Sequence, residues 1–308
     1  MGAVGAVVDL RTYLGLVRFS HTIFALPFAV IATLIALRIE VLGDPSIPII
    51  HWVRISLGIL LCMVSARTAA MAFNRLVDCD MDGRNPRTAN RHLPQGLVGQ
   101  KQVQRVVVVS SLVFITSTLL FLPNWLPLIL SLPVLAWLLT YSFAKRFTRF
   151  AHLWLGIALG LSPLAAWVAI RGAVVFENPS DIFPALVLAA VVVTWVTGFD
   201  IIYACQDQEF DASEGLYSLP AHYGVRGALR AAAAFHVLTV GFLVILPTSS
   251  PVLGVYTRWA IGVISVLLVL EHWLVRPDDL SRVNQAFFTV NAGIGMLLLA
   301  GVCSDIFL

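Results

Sequence analysis

Long uninterrupted apolar runs divide this chain and leave it few possible folds. Each run of about 18 to 24 residues can cross a bilayer as a helix, which rises ~1.5 Å per residue. The chain is 59% hydrophobic and only 12% charged, which lies outside the range of soluble globular domains. We therefore predict an all-α, polytopic membrane protein with nine transmembrane helices. The runs begin near Leu16, His51, Val103, Trp125, Ala151, Phe183, Arg230, Val252 and Ala286.

The distribution of positive charge predicts how these helices are oriented. The net charge is only +3, but most Arg and Lys residues follow the second, fourth, sixth and eighth apolar runs. By the positive-inside rule, the N-terminus and these connections are cytoplasmic, and the C-terminus lies outside. No soluble appended domain is visible, so residues 1–308 are predicted to form one membrane-embedded domain.

Two short acidic stretches, residues 74–82 and 200–211, interrupt the apolar pattern. They hold three and four acidic side chains, seven of the seventeen in the chain: Asp78, Asp80, Asp82, Asp200, Asp207, Glu209 and Asp211. Carboxylates near lipid are unfavourable unless they are paired, hydrated or bound to a metal. The clustering therefore indicates a functional site rather than a solvated surface.

Helical spacing aligns the oxygen-bearing side chains of each stretch. At 100° per residue, they fall on one face of the second helix and on one face of the sixth. The two stretches are four helices apart along the chain, so both faces point into the bundle from the same side if the chain consists of two parallel pseudo-repeats. We call Asn74, Asp78 and Asp82 the first acidic row, with Arg67 on the same face, and Asp200, Asp207 and Asp211 the second acidic row.

Two facing rows of carboxylates would repel each other unless a cation lay between them. Mg²⁺ commonly takes one or two protein carboxylates and completes its octahedron with water and phosphate oxygens. A Mg²⁺-bound diphosphate between the rows is therefore expected. Nearby cationic side chains would meet the phosphate oxygens: Arg67, Arg75, Arg87, Arg91 and Lys145.

Two simpler roles were weighed for the acidic residues, calcium binding and solvation at helix ends. Residues 78–83 imitate the start of an EF-hand loop, but the twelfth position is Ala89 where a bidentate glutamate is required. Acidic residues outside the rows are compatible with simple solvation at helix ends, namely Asp80, Glu209 and Glu214.

A carboxylate-lined ion or proton transporter, or a lipid-binding scaffold, is the rival class of function. Transport carboxylates usually lie near the midplane of the membrane. The acidic residues of this chain instead cluster with arginines toward one surface, which favours an enzyme.

The motifs resemble those of a known family. The first acidic stretch is followed by Asn85-Pro86-Arg87-Thr88-Ala89-Asn90-Arg91-His92-Leu93-Pro94, and the second by Ser218-Leu219-Pro220-Ala221-His222-Tyr223-Gly224. Together they resemble the UbiA superfamily of intramembrane aromatic prenyltransferases over essentially the whole chain. This resemblance implies a nine-helix bundle whose central cavity opens toward lipid, with Mg²⁺ and a prenyl diphosphate held under a cytoplasmic cap.

The resemblance also implies roles for individual residues. Metal binding falls to Asn74, Asp78, Asp82, Asp207 and Asp211, and catalysis to Asp78, Asp82, Asp200, Asp207, Asp211 and Lys145. Substrate binding falls to Arg18, His21, Arg67, Asn74, Arg87, Arg91, Tyr141 and Tyr203. Arg18 is similar to a family arginine that meets the aromatic acceptor, whereas His21 departs from the lysine or arginine that is common near its position.

The sequence most resembles a bacterial branch described as 4-hydroxybenzoate polyprenyltransferase-like. This similarity implies an enzyme of the bacterial cytoplasmic membrane that prenylates 4-hydroxybenzoate or a dihydroxynaphthoate for ubiquinone or menaquinone biosynthesis, and leaves the choice of acceptor open. An allylic cation formed by loss of diphosphate would need an aromatic, dry pocket. The expected lining is Phe19, Phe24, Tyr141, Trp154, Trp167 and Tyr203. The partners are the two substrates and membrane lipid, and no nucleic acid.

Overall fold

In the part of the chain that the structure describes, nine helices are long and apolar enough to cross a membrane. They are seen in a computed structural model that describes residue 15 and residues 24 to 308. The predicted all-α fold with nine such helices is confirmed for this part of the chain. The helices are α1 (Leu26–Gly43), α2 (Ile49–Val77), α3 (Gln100–Phe121), α4 (Leu126–Phe147), α5 (Ala151–Glu177), α6 (Pro179–Ser213), α7 (Leu219–Thr248), α8 (Val255–Leu274) and α9 (Val283–Phe307).

Helix α6 forms the centre of the bundle. Its sequence is apolar around the whole circumference, as expected for a helix that neighbours surround on all sides. Trp195, Phe199, Ile201 and Ile202 are all buried on it. Helices α5 and α7 pack along two of its faces. The second acidic row therefore lies on the most enclosed helix of the protein.

The outer surface of the bundle is apolar. On α8, for example, Trp259, Val263, Val266 and Val269 are exposed while Ile264 and Leu268 face the core. Exposed apolar side chains on a ring of helices are compatible with lipid rather than water. The protein is an integral membrane protein.

Buried hydrogen bonds fix the helices that surround α6. The Trp195 indole N–H donates to Asn291 Oδ1 at 2.6 Å, and the Asn291 amide donates to Glu271 Oε1 at 2.8 Å. Asn291 follows a π-helical turn, Ala286–Val290, and also donates to the Ala286 carbonyl at 3.2 Å. These contacts tie α6, α8 and α9 together. In a low-dielectric interior such hydrogen bonds are strong, and a polar group left without a partner would be unfavourable.

An ion-pair cluster joins helices at the end of the bundle that lies opposite the acidic rows. Arg171 donates to Glu40 at 2.7 Å and to Asp181 at 2.6 Å, so it joins α1, α5 and the start of α6. The Trp167 indole N–H also donates to Asp181, at 3.0 Å. Because every member has a partner, the cluster is compatible with its partial burial.

The predicted start of the seventh helix near Arg230 is wrong. Helix α7 begins at Leu219 and is kinked at Gly224, where φ is 67°. It begins there because the Ser218 hydroxyl caps it by accepting a hydrogen bond from the Ala221 N–H at 3.3 Å and Pro220 stands in its first turn. The residues between Ser218 and Arg230 include several polar side chains, so an argument based on hydropathy does not predict this helical segment. Most of the polar connection expected between residues 206 and 227 is therefore helical.

Close contact between α5 and α6 depends on Gly156. A Cβ atom at this position would lie 2.5 Å from the Val193 carbonyl oxygen and 2.4 Å from Thr197 Oγ1. We expect Gly156→Ala to destabilise the protein by about 1–3 kcal/mol, because backbone atoms cannot move aside without separating the helices. The thermal unfolding midpoint in detergent measures this effect. Gly241→Ala is the matched control, since nothing lies within 4 Å of its added Cβ; equal midpoints for the two variants would contradict the interpretation.

Candidate active site

Both acidic rows line one polar cavity at the end of the bundle where α2, α4 and α6 end. The spacing argument had assumed that each row lies on one continuous helix, and in the structure neither row does. Helix α2 ends at Val77 and a short helix, Cys79–Arg84, follows Asp78, whereas α6 passes through a 3₁₀ turn at Cys205–Asp207. The cavity has a volume of about 190 Å³. Its predicted site residues are Asn74, Asp78, Asp82, Arg87, Arg91, Tyr141, Lys145, Asp200, Tyr203, Asp207 and Asp211.

Asp82 is held by arginines that come from its own side of the cavity. Arg91 Nη1 lies 2.6 Å from both carboxylate oxygens. The buried Arg75 guanidinium lies 3.9 Å from the same carboxylate. The Thr88 hydroxyl donates to the Asp82 carbonyl oxygen at 3.0 Å, which anchors the loop that carries Arg91.

Asp78 has a mixed set of partners at the junction of α2 and the short helix. The Asn74 amide donates to one carboxylate oxygen at 2.7 Å, and Arg146 contacts the other at 3.2 Å. Arg146 also donates to the Val77 carbonyl at 2.6 Å. Burial raises the pKa of the Asp78 carboxyl, and the Arg146 hydrogen bond opposes that shift.

Asp207 connects the two halves of the site. The Arg87 guanidinium donates to both oxygens of Asp207 in a bidentate pair, and the Asn85 amide donates to the same carboxylate at 3.2 Å. Arg87 also donates to the Tyr203 hydroxyl at 2.9 Å, with its guanidinium 5.1 Å from the ring centroid. The loop after the first acidic row thus binds directly to the second row.

The other two carboxylates of the second row have partners on α4 and α5. Lys145 Nζ lies 3.2 Å from Asp211, and the Lys145 carbonyl accepts a hydrogen bond from the Tyr217 N–H at 2.7 Å. Asp200 Oδ2 lies 2.7 Å from His152 Nδ1, and His152 is fully buried.

Basic side chains match the carboxylates that the sequence argument expected to repel one another. Each carboxylate of the rows has its own guanidinium, ammonium or imidazole partner. The protein's own cations therefore relieve the repulsion that the sequence argument expected a bound cation to relieve. Among the described residues, no three His, Cys, Asp or Glu side chains come together as a metal-binding group. The pairing explains this, because each acid is directed toward a different cation.

A larger apolar cavity of about 420 Å³ adjoins the polar one. Tyr141 lines both cavities and marks the boundary between them. Arg67 lines the apolar cavity and not the polar one, so its position differs from that of the other predicted phosphate-binding residues. The apolar cavity otherwise consists mainly of aliphatic and Phe side chains from α2 to α6.

Only some of the aromatic residues predicted to line the pocket do line a cavity. Tyr141 and Tyr203 line the polar cavity. Phe24 instead packs in the core against Trp195, Phe199 and Phe287. Trp154 stacks on Trp137 with ring centroids 4.3 Å apart, and Trp167 binds Asp181 at the opposite end of the bundle. Arg18, Phe19 and His21 lie outside the described residues.

Sequence reasoning missed three residues of the site: Asn85, Arg146 and His152. Asn85 directly follows the first acidic stretch, and Arg146 is adjacent to Lys145, so both could have been included as neighbours of motif residues. His152 carries no such signal, because it stands alone among apolar residues at the start of α5.

Acidic residues outside the rows do not line the cavity. Asp80 and Glu209 are exposed. Glu214 forms a bidentate pair with Arg84, with distances of 2.6 and 3.0 Å, and the Arg84 partner lowers the pKa of the Glu214 carboxyl. This second pair links the loop after the first acidic row to the connection that follows α6.

Comparison with known proteins identifies the family. The profile of the UbiA prenyltransferase family matches residues 15–293. The chain belongs to this family. Its prediction as an enzyme, an aromatic prenyltransferase of the UbiA type, is thereby confirmed.

Two relatives align with most of this chain. The chain is 31% identical over 254 residues to a 4-hydroxybenzoate octaprenyltransferase of Alkalilimnicola ehrlichii, covering 82% of this chain and 80% of that protein. A protein of the same name from Vibrio cholerae is 30% identical, covering 96% of this chain and 97% of its own.

Solved structures share the same fold. A UbiA homolog from Aeropyrum pernix K1, determined in its apo form, matches with a TM-score of 0.78 and 31% identity, covering 93% of this chain and 98% of its own. A UbiA homolog from Archaeoglobus fulgidus bound to DMAPP and Mg²⁺ matches with a TM-score of 0.71 and 18% identity, covering 96% of this chain and 99% of its own.

The Arg87–Asp207 pair is expected to stabilise residues 85–98, the segment after the short helix that carries Arg87 and Arg91. Arg87→Ala would leave a buried carboxylate without its main partner, a loss of roughly 1–3 kcal/mol. We expect a lower thermal midpoint in detergent without added metal, and faster proteolytic cleavage within residues 85–98. Arg84→Ala is the control, because the Arg84–Glu214 pair is more exposed and surface pairs contribute little. If both variants behave alike, the buried pair has no special role.

Proposed function

We propose that this protein transfers a polyprenyl group from a prenyl diphosphate to the ring of an aromatic acid, in a reaction that depends on Mg²⁺. The proposed acceptor is 4-hydroxybenzoate, and the reaction would serve quinone biosynthesis. One observation carries the proposal: a polar cavity rich in paired carboxylates and cations adjoins a long apolar cavity at Tyr141. A prenyl diphosphate has the same division into a charged head and an apolar tail.

The polar cavity has the donors that a hard divalent cation requires. Its non-basic polar side chains are carboxylates, amides and hydroxyls, and no cysteine is among its lining residues. Magnesium favours such oxygen ligands together with substrate phosphates. The residues that would hold it are Asn74, Asp78, Asp82, Asp207 and Asp211. When bound, Mg²⁺ would neutralise charge on the diphosphate and stabilise it as a leaving group.

The basic side chains of the cavity are placed to bind the diphosphate. Arg87, Arg91 and Lys145 line the cavity and already contact anionic oxygens of the protein. A diphosphate would present the same kind of acceptor to the same donors, and guanidinium groups suit phosphate geometry. These cations would stabilise the charge that develops as the bond to the prenyl group breaks. We assign Arg67 to the boundary between head and tail, because it lines the apolar cavity.

The apolar cavity is suited to the prenyl tail. It follows α4 from Tyr141 to Pro127, fourteen positions that correspond to about 21 Å of helix. Leu130 and Leu186 line it and are 42% and 48% exposed. We propose that a tail longer than the cavity passes into lipid beside these side chains, which would allow long polyprenyl donors.

Names of relatives support 4-hydroxybenzoate as the acceptor. The proteins from Alkalilimnicola ehrlichii and Vibrio cholerae are both named 4-hydroxybenzoate octaprenyltransferase. A dihydroxynaphthoate remains the competing acceptor, with menaquinone rather than ubiquinone as the end product. We assign recognition of the acceptor carboxylate to Arg18 and His21, and ring contacts to Tyr141 and Tyr203.

The activity prediction compares two acidic residues of the same stretch. Asp207→Asn should reduce prenyl transfer from geranyl diphosphate to 4-hydroxybenzoate by roughly 10²-fold or more, the effect of losing a main electrostatic element of a site. Glu209→Gln should leave the rate unchanged, because this side chain is exposed and does not line the cavity. Product formation is followed by chromatography, with dihydroxynaphthoate assayed in parallel.

Removal of metal is the companion measurement. EDTA should abolish turnover, and added Mg²⁺ should restore it in the unaltered protein and in Glu209→Gln. Full activity of Asp207→Asn would exclude the metal assignment. Absence of product with either acceptor, together with ion flux in liposomes, would favour the transporter class.

The membrane orientation is proposed from the charge distribution. Arg84, Arg91, Lys145 and Arg146 lie at the end of the bundle that carries the polar cavity, so the positive-inside rule places this end in the bacterial cytoplasm, with the N-terminus inside and the C-terminus outside. We also propose one domain over residues 1–308, built of two pseudo-repeats that each contribute one acidic row.

Labelling from one side of the membrane tests this orientation. In a variant without native cysteines, a cysteine introduced by Glu209→Cys should react with an impermeant maleimide in inverted membrane vesicles and not in intact cells. Tyr256→Cys, at the start of α8, is the control for the other side, since Tyr256 is 47% exposed. The reverse pattern would place the polar cavity outside.

A further inference from the structure

Prenylation of an aromatic ring must remove a proton, and the carboxylates of the polar cavity differ in the side chains that they contact. This inference rests on the proposed function. Asp78, Asp82, Asp207 and Asp211 are each bound to an arginine or lysine, and the proposed function assigns them to the metal-bound diphosphate. Among the contacts of the described residues, the partner of Asp200 is the imidazole of His152.

The His152–Asp200 contact is built into the interior of the protein. His152 lies in the first turn of α5 with 0% of its side chain exposed, and its Nδ1 is 2.7 Å from Asp200 Oδ2. At that distance a proton must lie between the two atoms. His152 Nε2 is buried and has no hydrogen-bond partner among the described residues. Within this part of the chain, the polar contact of the imidazole is the one to Asp200.

Asp200 also lies at the depth where the reacting carbon is expected. It precedes Asp207 by seven residues on α6, which places it roughly 10 Å further into the bundle. It lines the polar cavity together with Tyr141, which marks the boundary to the apolar cavity. With the diphosphate near Asp207 and the tail beyond Tyr141, the first carbon of the prenyl group falls beside Asp200.

We propose that Asp200 is the base that accepts the ring proton and that His152 is the residue that positions it. The bond between the prenyl carbon and the diphosphate oxygen breaks, and its electron pair leaves with the diphosphate. The ring carbon forms a bond to the prenyl carbon. The C–H electron pair then returns to the ring, and the proton binds the Asp200 carboxylate. His152 keeps that carboxylate oriented toward the ring through the hydrogen bond at Nδ1.

The test uses 4-hydroxybenzoate that is deuterated at the two ring carbons beside the hydroxyl-bearing carbon. Asp200→Asn retains the shape of the side chain but cannot accept the proton, so kcat should fall by about 10² or more. A primary isotope effect on kcat should appear, because proton loss becomes rate-limiting. The KM for geranyl diphosphate should change little, since Asp200 is not assigned to the diphosphate.

Two substitutions at His152 separate positioning from structure. His152→Phe removes the hydrogen bond and should lower kcat by roughly 10-fold to 100-fold, with the same isotope effect. His152→Asn places an amide N–H near the position of Nδ1, and should restore kcat to within a few fold of the unaltered protein. Thermal midpoints in detergent verify that each variant is folded.

Several outcomes would overturn the proposal. A raised KM for geranyl diphosphate without an isotope effect in Asp200→Asn would assign Asp200 to diphosphate binding. Equal losses of kcat in His152→Phe and His152→Asn, with lowered thermal midpoints, would show that His152 serves only the fold. If the unaltered protein forms no product, the proposed function fails and this assignment with it, whereas failure of this assignment alone leaves that turnover intact.

Discussion

Charge matching inside an apolar bundle is the constraint on which the site depends. Five carboxylates lie around one cavity at the end of α2, α4 and α6, where an unpaired charge would be strongly unfavourable. The protein meets this constraint with at least one basic partner for each acid, and these partners come from α2 and the segment after it, from α4 and from α5. The pairs therefore hold these elements together around the cavity.

These pairs also explain how one site can serve both as a stable structure and as a binding site. Arg87 links the first half of the chain to the second through Asp207, and Arg84 does the same through Glu214 at the surface. The proposed diphosphate with a divalent metal would bring both anionic oxygens for the arginines and positive charge for the carboxylates. Each charged side chain would then exchange one partner of opposite charge for another, so the low-dielectric surroundings would not oppose binding.

The division between the two cavities follows from the helices that line them. Helix α4 carries Lys145 at the polar end and Leu138, Val134 and Leu130 along the apolar cavity. Tyr141 stands between them with an apolar ring and a polar hydroxyl, which suits a boundary. A head-and-tail substrate would be oriented by this gradient before any specific contact is made.

The sequence alone determined the nine helices, the position of the acidic rows at one end of the bundle, and the family, because apolar length and motif spacing are local properties. It placed Arg87, Arg91 and Lys145 near the acids but gave no pairing, since partners more than a hundred residues apart, such as Arg87 and Asp207, meet only when the helices pack. The start of α7 was missed because its cap is polar, and the position of Arg67 beside the apolar cavity was not foreseen because helical spacing fixes direction but not depth. Only the tertiary structure brought the buried His152 to Asp200, since an isolated histidine on an apolar helix has no partner in its own sequence neighbourhood.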